Sequence, residues 1–328
     1  MPTKTVGKYK IRTFEVVSPG FDPLQASPST LLHHGFPRLP DQKKEPKVFA
    51  RWTRAMTLYR DLRFTHLAPE FQEMPNVDHN TDDQSGAPLA DGSRRSFNWC
   101  GAVVFVDPTK DKFNTVIGQW TVPNAYRPNP DTTHNYFSSA WIGIDGTSNL
   151  VSSSIDVLQV GTTTELVDYQ LQCFAFYQWY PLPRVKVTNL AVSPGDVVNL
   201  AICITDYFAD PTPTAFCSFG NLTSRLYTSF EISGPVTPFP VRPLAIGNCA
   251  EAVVERPSLR SVGIDYRQKL PRYGEVFFDE VMAATANGVN FELGTGAPIN
   301  MLEDDGTTVI SKAEKIDPDS IRVSYTGP

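Results

Sequence analysis

The chain has 328 residues, of which 41% are hydrophobic and 20% charged, and this composition is typical of a soluble globular protein. Its net charge of -6 is unevenly distributed: residues 1–95 hold 14 Lys and Arg against 11 Asp and Glu, whereas residues 96–328 hold 15 against 24. An acidic main body argues against nucleic-acid binding, because a basic binding surface would have to lie in that body.

The start of the chain carries no recognisable targeting segment. MPTKTVGKYKIRTFEVV lacks the run of about 7 to 15 apolar residues of a signal peptide. No later segment approaches the ~20 apolar residues that span a bilayer. We therefore expect a soluble protein.

Residues 1–95 are predicted to form an N-terminal extension with one strong helix. Residues 1–45 are rich in proline and basic residues, which predicts extended segments and one short helical turn. In the run EPKVFARWTRAMTLYRDLRF, apolar residues recur every three or four positions, as in an amphipathic helix. They are Val48, Trp52, Met56 and Tyr59. Residues 73–96 are polar with almost nothing to bury, which predicts a linker or exposed loop.

From residue 97 onward, short β-type runs alternate with Gly, Pro, Asn and Asp turns. The runs are CGAVVFV, NTVIGQWTVP, AWIGIDG, SIDVLQVG, DYQLQCFAFYQWYP, VKVTNLAV, DVVNLAICIT, TAFCSFGN, RLYTSFEIS, AEAVVE, YGEVFFDEV and IRVSY. Evenly spaced short strands predict an all-β sandwich or barrel, and we place this domain over residues 96–328.

The motifs of several common enzyme classes are missing. The chain has no GxSxG, HExxH, Walker or GxGxxG motif and no Asp-Thr/Ser-Gly signature. A Ser or Cys triad in the β domain would have to use His134, and Cys100, its one candidate partner, is better explained as a small buried residue. The five cysteines are far apart and odd in number, which argues against a zinc site and leaves a thiol unpaired. We expect no metal and no cofactor.

The run AEAVVERP at residues 250–257 contains two glutamates in an apolar strand pattern. Side chains alternate along a strand, so Glu251, Val253 and Glu255 should point to one face, and Ala252 and Val254 to the other. Either the first face is solvated or Glu255 has a function.

Five segments, in this order, resemble the glutamic peptidase family, the eqolisins. They are FNWCGAVV (97–104), VIGQWTVPN (116–124), SAWIGIDG with VLQVG (139–146 and 157–161), YQWYP (177–181) and AEAVVERP. NLT (221–223) and YGEVFFDEV (273–281) resemble later family segments. Each segment alone is weakly specific, but the ordered set is specific, and it covers about residues 96 to 328.

The resemblance implies a concanavalin-like sandwich of two antiparallel sheets with a substrate cleft. It also implies a catalytic pair, which maps onto Gln159 and Glu255. Glu255 would act as general base and then general acid in an acid-active endopeptidase, and Gln159 would stabilise the oxyanion. The predicted substrate-binding residues are Trp99, Trp141, Asp145, Gln178 and Tyr180.

At two positions the sequence departs from the family pattern. Gln178 stands where relatives commonly have a glutamate, and Phe176 where a tryptophan is usual. Loss of that carboxylate should lower the pKa of Glu255 if the two groups are close. It also leaves an alternative function open: a non-catalytic concanavalin-like sandwich that binds peptide or carbohydrate.

The front of the chain resembles the prosegments of the family, as GFDPLQASPSTLLHHGFPRLPD shows. Because the extension is basic and the body acidic, we hypothesise that the basic helix covers the cleft at neutral pH and leaves it in acid. The expected partners are a polypeptide substrate and the N-terminal segment as an inhibitor, without nucleic acid or membrane. The resemblance implies an extracellular location although this sequence shows no signal peptide, and we expect a monomer.

Overall fold

A computed structural model describes the chain except for residues 1, 75–76, 79, 129–134, 150–151, 153, 155, 208–211, 235–245, 262–263 and 328. The N-terminal region contributes two helices and six strands. They are β1 Thr3–Val6, β2 Tyr9–Thr13, α1 Pro28–His33, α2 Pro46–Asp61, β3 Thr65–His66, β4 Phe71–Met74, β5 Val77–Asp78 and β6 Arg94–Ser96.

The rest of the described chain is almost entirely β-structure, as predicted. Its first ten strands are β7 Trp99–Phe105, β8 Phe113–Thr121, β9 Tyr136–Asp145, β10 Val157–Val167, β11 Gln170–Tyr180, β12 Arg184–Val187, β13 Val197–Asp206, β14 Thr214–Asn221, β15 Leu226–Ser233 and β16 Cys249–Glu255. The others are β17 Ser258–Ser261, β18 Ile264–Arg267, β19 Glu275–Thr285, β20 Asn290–Glu292, β21 Ala297–Leu302, β22 Val309–Asp317 and β23 Ser320–Tyr325, with a 3₁₀ turn at Leu293–Thr295.

The strands form two layers. The front sheet has the spatial order β4-β12-β11-β10-β9-β16-β7-β21. The back sheet has the order β1-β2-β15-β14-β13-β8-β19-β23. All these pairings are antiparallel, and β22 pairs with both β21 and β23, so the sheets join along one side. The predicted sandwich of two antiparallel sheets is thus confirmed.

One apolar core fills the space between the sheets. Alternate residues of β9, such as Ile142 and Ile144, meet alternate residues of β13, such as Leu200 and Ile202, and all four are buried. This follows from the two-residue period of a strand, which sends every second side chain inward. The intervening residues of β7, β9, β10, β11 and β16 point to the outer side of the front sheet, which we call the cleft face.

The predicted amphipathic helix is present as α2, but it lies on the back sheet. Its residues Trp52, Met56 and Tyr59 are buried in a cluster that includes Tyr227 of β15. All four of its basic side chains form ion pairs, among them Lys47 with Glu292 at 3.3 Å and Arg51 with Asp319 at 2.9 Å. The hypothesis that this helix covers the cleft is therefore wrong, because its apolar stripe docks on the opposite side of the sandwich.

The N-terminal hairpin is part of the sandwich core. Strand β2 pairs with β15, and its residues Tyr9 and Ile11 are fully buried in the core between the sheets. Whether residues 1–95 and 96–328 are separate units stays a prediction. In the structure, the first strands of the chain extend the back sheet.

The polar stretch 73–96 is not the exposed linker that its composition predicts. Among the residues of this stretch whose exposure is described, only 86–92 form a continuous exposed loop. Ser93, Arg94 and Ser96 are buried, and the Arg94 guanidinium lies over the Phe105 ring at 5.1 Å. The prediction fails because polar side chains can be buried once their hydrogen bonds are satisfied.

Neither α1 nor α2, nor any other helix among the described residues, is both long and apolar enough to span a bilayer.

Candidate active site

The strand register places every predicted site residue on the cleft face. Glu255 is paired with Trp99 on β7 and with Ser139 on β9. Gln159 is paired with Gly143 on β9 and with Gln178 on β11. Directly paired residues share a face of the sheet, as do residues two positions apart. By this rule, the face carries Trp99, Trp141, Asp145, Gln159, Gln178, Tyr180 and Glu255.

The face that carries Glu255 is not solvated. Glu251 and Glu255 are 0% and 1% exposed, and Val253 lies between them in an aromatic cluster with Trp99 and Trp141. The other side of the same strand, with Ala252 and Val254, belongs to the core between the sheets. The alternation predicted for β16 is confirmed, and the two glutamates are on the buried cleft side.

Hydrogen bonds that hold Glu255 include one at each of its two carboxyl oxygens. The indole Nε1–H of Trp141 donates to Oε2 at 2.8 Å, and the backbone N–H of Asn80 donates to Oε1 at 3.0 Å. Burial raises the pKa of Glu255 to about 8, against the opposing effect of these two donors. The carboxyl group is therefore oriented by the protein and protonated at neutral pH in this state.

The side chain of Trp141 packs against a glycine on the neighbouring strand. A Cβ at Gly161 would lie 2.4 Å from the Cβ of Trp141, so only glycine leaves room for this side chain. The ring meets Trp99 edge to face, with centroids 4.9 Å apart at 82°. The two tryptophans thus form an apolar wall beside Glu255, and their contact with substrate stays a prediction.

Gln159 is fully buried, and neither atom of its carboxamide is hydrogen-bonded to the described residues. It lies two rows along the cleft face from Glu255, because Gln159 pairs with Gly143 whereas Glu255 pairs with Ser139. Trp141 stands between the two rows. A buried amide with free donor and acceptor atoms is unusual in a folded protein and marks a candidate functional group.

Two other predicted residues, Gln178 and Asp145, have defined partners among the described residues. Gln178 donates from Nε2 to the Leu182 carbonyl at 2.8 Å. Asp145 has a φ of 72° and accepts the backbone N–H groups of Gly247 and Asn248 at 3.0 and 2.9 Å, so it fixes the approach to β16. Burial and then the negative charge of Asp156 raise the pKa of Asp145. Their contacts with substrate, and those of half-buried Tyr180, stay predictions.

Sequence reasoning missed a buried ion pair on the same face. Arg184 donates to Glu165 at 2.8 Å and to Thr163 at 3.2 Å, and its guanidinium lies 5.1 Å from the centre of the Phe174 ring. Its charge is one of the factors that lower the pKa of Glu255. No motif in PLPRVKV indicates a buried arginine, since β-type patterns do not show which charges will find a partner.

The second feature that sequence reasoning missed is a segment that lies over the site, residues 80–85, which we call the cover segment. Beyond the Asn80 contact, Asp82 donates its N–H to the Gly146 carbonyl at 2.8 Å and accepts from Thr147 Oγ1 at 2.6 Å. Gln84 Nε2 donates to Thr147 Oγ1 at 2.7 Å. The cover segment is therefore fixed both to Glu255 and to the loop after β9.

Other chemistries find little support in the described residues. His134 lies outside them, and the part of the chain that is described has no group of three or more His, Cys, Asp or Glu suited to a metal. All five cysteines are free thiols. Burial raises the pKa of Cys100 to about 12, which argues against a thiolate nucleophile at this position.

The chain is similar to known proteins. The model of the peptidase A4 family matches residues 97–325. Aspergillopepsin-2 of Aspergillus niger is 27% identical over 156 residues, which is 43% of this chain and 51% of that protein. The matched region thus spans about half the length of this curated relative.

Two solved structures match part of the chain. Scytalido-glutamic peptidase, solved with a transition state analog inhibitor, has a TM-score of 0.55 and 19% identity, over 70% of this chain and 98% of that one. Aspergilloglutamic peptidase from Aspergillus niger has a TM-score of 0.47 and 25% identity, over 58% of this chain and 99% of that one.

Proposed function

Because the chain belongs to the peptidase A4 family, we propose that it is an acid-active endopeptidase whose catalytic residues are Glu255 and Gln159. One observation carries the proposal: a buried carboxyl, oriented by Trp141, shares a face with a buried carboxamide that has no hydrogen-bond partner among the described residues. The names of two relatives, both glutamic peptidases, are consistent with it.

The reaction follows from the two residue types. Ionised Glu255 takes a proton from water, and the water oxygen bonds to the scissile carbonyl carbon. The amide N–H of Gln159 stabilises the oxyanion that forms. Protonated Glu255 then passes its proton to the leaving nitrogen as the C–N bond breaks, which restores the ionised carboxylate. Trp99 and Trp141 would exclude bulk water from this step.

Activity requires that the cover segment leave the site. In the structure, Gln159 and Glu255 are 0% and 1% exposed, so no peptide can reach them. Burial is also the main cause of the raised pKa of Glu255. Opening of the cleft would let water reach the carboxyl and lower its pKa toward the usual value near 4.3, so that Glu255 can ionise in acid.

We propose that the cover segment, rather than the basic helix, is the inhibitory part of the N-terminal region. It donates a backbone N–H to Glu255, the contact that a bound peptide could also make. Tyr9 and Ile11 belong to the main core, so the first strands should remain with the sandwich when the segment moves. We also propose that the protein acts outside the cell, as a monomer, on unfolded polypeptides.

The catalytic proposal is tested by digestion of a denatured protein between pH 2 and 7, with pepstatin and a chelator present. We expect cleavage in acid by the wild-type chain and none by Glu255→Gln. Glu314→Gln on the surface is the matched control and should cleave normally, since Glu314 is exposed and lies far from the cleft on β22. Absence of cleavage at every pH would favour the binding module that the departure at Gln178 leaves open.

The role of the cover segment is tested by a cleavage site for a neutral-pH protease, placed in the exposed loop 86–92. The full chain is cut at pH 7 and then transferred to acid. We expect the cut chain to reach full activity without the lag of the uncut chain, because one end of the segment is then free. Equal lags would show that this segment does not limit activation.

A further inference from the structure

The ion pair of Arg184 and Glu165 is buried on the cleft face, and the proposed reaction does not use it. Val185 turns into the core between the sheets, so Arg184, the preceding residue of β12, turns to the cleft face. Arg184 is 0% exposed and Glu165 is 4% exposed. Because a buried ion pair often stabilises a fold less than apolar residues of the same size, its place in the cleft points to a function.

The guanidinium group of Arg184 is fixed in one orientation. Nη2 donates to Glu165 at 2.8 Å and Nη1 to Thr163 at 3.2 Å, while the centres of the Phe174 and Phe176 rings lie 5.1 and 5.8 Å from Cζ. The remaining donor, Nε, is buried and has no hydrogen-bond partner among the described residues. A buried donor without an acceptor is costly, and an oxygen atom of a ligand would satisfy it.

A second cation gives this part of the cleft an excess of positive charge. Lys186 is half-buried, and its Nζ lies 4.5 Å from the centre of the Phe174 ring. Arg184 lies over the same ring, and Glu165 neutralises one of the two positive charges. The remaining charge favours an anionic group of a ligand. We call Thr163, Glu165, Arg184 and Lys186 the arginine site.

The arginine site lies beside the proposed catalytic residues. Thr163 is paired with Ser139 on β9, and Ser139 is paired with Glu255 on β16, so Thr163 and Glu255 stand in one row, two strands apart. Neighbouring strands are about 4.8 Å apart, so the row spans about 10 Å, a length that about three residues of an extended peptide cover. A side chain close to the scissile bond can therefore reach the arginine site once the cleft is open.

We propose that Arg184 is a substrate-binding residue that selects peptides with an acidic side chain, Glu or Asp, within about three residues of the scissile bond. The carboxylate of that side chain accepts a hydrogen bond from Nε of Arg184 and is attracted by Lys186. The charged groups that face it include Glu165 on β10 and Glu255 on β16. This inference deepens the proposed function and rests on cleavage by Glu255 and Gln159.

The test uses fluorogenic peptides with Glu, Gln or Lys at each of three positions on either side of the scissile bond. For the full wild-type chain, activated in acid, we expect one position at which Glu gives about 10-fold higher kcat/KM than Gln at pH 5, because a charge-assisted hydrogen bond is the stronger. At pH 3 this ratio should fall to about twofold or less, since a substrate glutamate with a pKa near 4.3 is then neutral. Lys should be the poorest residue at that position.

The variant that tests the assignment replaces both charges of the buried pair. Arg184→Met alone would leave Glu165 buried without its partner, so it is combined with Glu165→Met. We expect the double variant to keep its thermal midpoint, and its ratio of Glu to Gln cleavage at pH 5 to fall to about one. Lys186→Met leaves the pair intact and should lower the ratio about threefold.

The ion pair of Arg322 and Glu314 on the surface provides the matched control. Replacement of both by Met should leave the Glu preference unchanged, since these residues lie on β23 and β22, away from the cleft face.

The possible outcomes separate the arginine site from the catalytic residues. A Glu preference that persists in the double variant, or that is missing in an active wild type, would overturn the inference and leave the dyad intact. If the double variant fails to fold, Lys186→Met decides, and an unchanged ratio would count against the site. Failure of the wild-type chain to cleave any peptide at any pH would overturn the proposed function and the arginine site with it.

Discussion

The two faces of the front sheet are equally buried from solvent but differ in the chemical groups they carry. On β16, Ala250, Ala252 and Val254 turn inward to a core made of apolar groups. The residues between them turn outward, where Glu251 and Glu255 are just as buried. The inner face stabilises the fold through burial of apolar area, whereas the cleft face keeps costly polar groups for chemistry. The same strand thus contributes to the stability of the core and to the chemistry of the cleft, because its side chains alternate between the two faces.

The largest expected effect on the cleft face comes from Glu255→Gln. The variant keeps the shape of the side chain but has neither a base nor an acid, so we expect kcat/KM at acidic pH to fall by at least about 10³-fold. The thermal midpoint should not fall, because a buried ionisable group has been replaced by a neutral one. Peptide cleavage assays and thermal unfolding of the same preparations measure both. A loss of stability that matches the loss of activity would argue for a structural role.

Gln159→Leu should have the next largest effect. Removal of one oxyanion donor typically costs about 10² to 10³ in rate. Stability should be kept or increased, since the carboxamide makes no hydrogen bond to the described residues. The kinetics of a fluorogenic peptide in acid, with denaturant unfolding alongside, provide the measurement. Wild-type activity in this variant would show that another group stabilises the oxyanion.

The pH dependence of stability should also separate the two faces. The pKa of Glu255 is raised to about 8, so the folded state keeps a proton that the unfolded chain releases near pH 4.3. The free energy of unfolding should therefore fall as pH rises through this window, by about 2.5 kcal/mol between pH 5 and 7 for this group alone. Urea unfolding of wild type and Glu255→Gln at both pH values is the measurement, and the fall should be smaller in the variant. Parallel curves would contradict the prediction.

The smallest effects are expected from a matched pair on β16. Val254→Ala on the inner face should reduce the free energy of unfolding by about 1 to 2 kcal/mol and leave kcat/KM unchanged at a temperature where the variant is folded. Val253→Ala, one residue away on the cleft face, should reduce both, because Val253 packs in the cluster that contains Trp99 and Trp141. If both variants behave alike, the two faces are not functionally distinct.

The sequence predicted the secondary-structure elements of this fold better than their tertiary packing. The helix at Pro46–Asp61 and the alternation in β16 follow from spacing along the chain, and both are confirmed. The resemblance carried by five ordered segments agrees with the family match over residues 97–325. These features depend on hydrophobic periodicity and on local motifs, both of which are properties of neighbouring residues in the sequence.

The placement of the N-terminal region was decided only by tertiary packing. The charge asymmetry suggested that the basic helix covers an acidic cleft. In the structure, the apolar stripe of this helix, which includes Tyr59, packs against Tyr227 on the back sheet. Residues 80–85, too polar to predict a buried role, lie at Glu255 instead. Burial of a polar segment depends on whether distant groups satisfy its hydrogen bonds, and the composition of the segment does not contain that information.

By itself, the sequence determined that short strands follow one another from residue 97 onward, that Glu251 and Glu255 lie on one face of their strand, and the family. Only the tertiary structure decided that this face is buried from solvent, that Gly143 lies between Glu251 and Gln159, and that Asn80 contacts Glu255. The physical reason is that alternation is a local property of the backbone, whereas desolvation and pKa depend on every segment packed against a group.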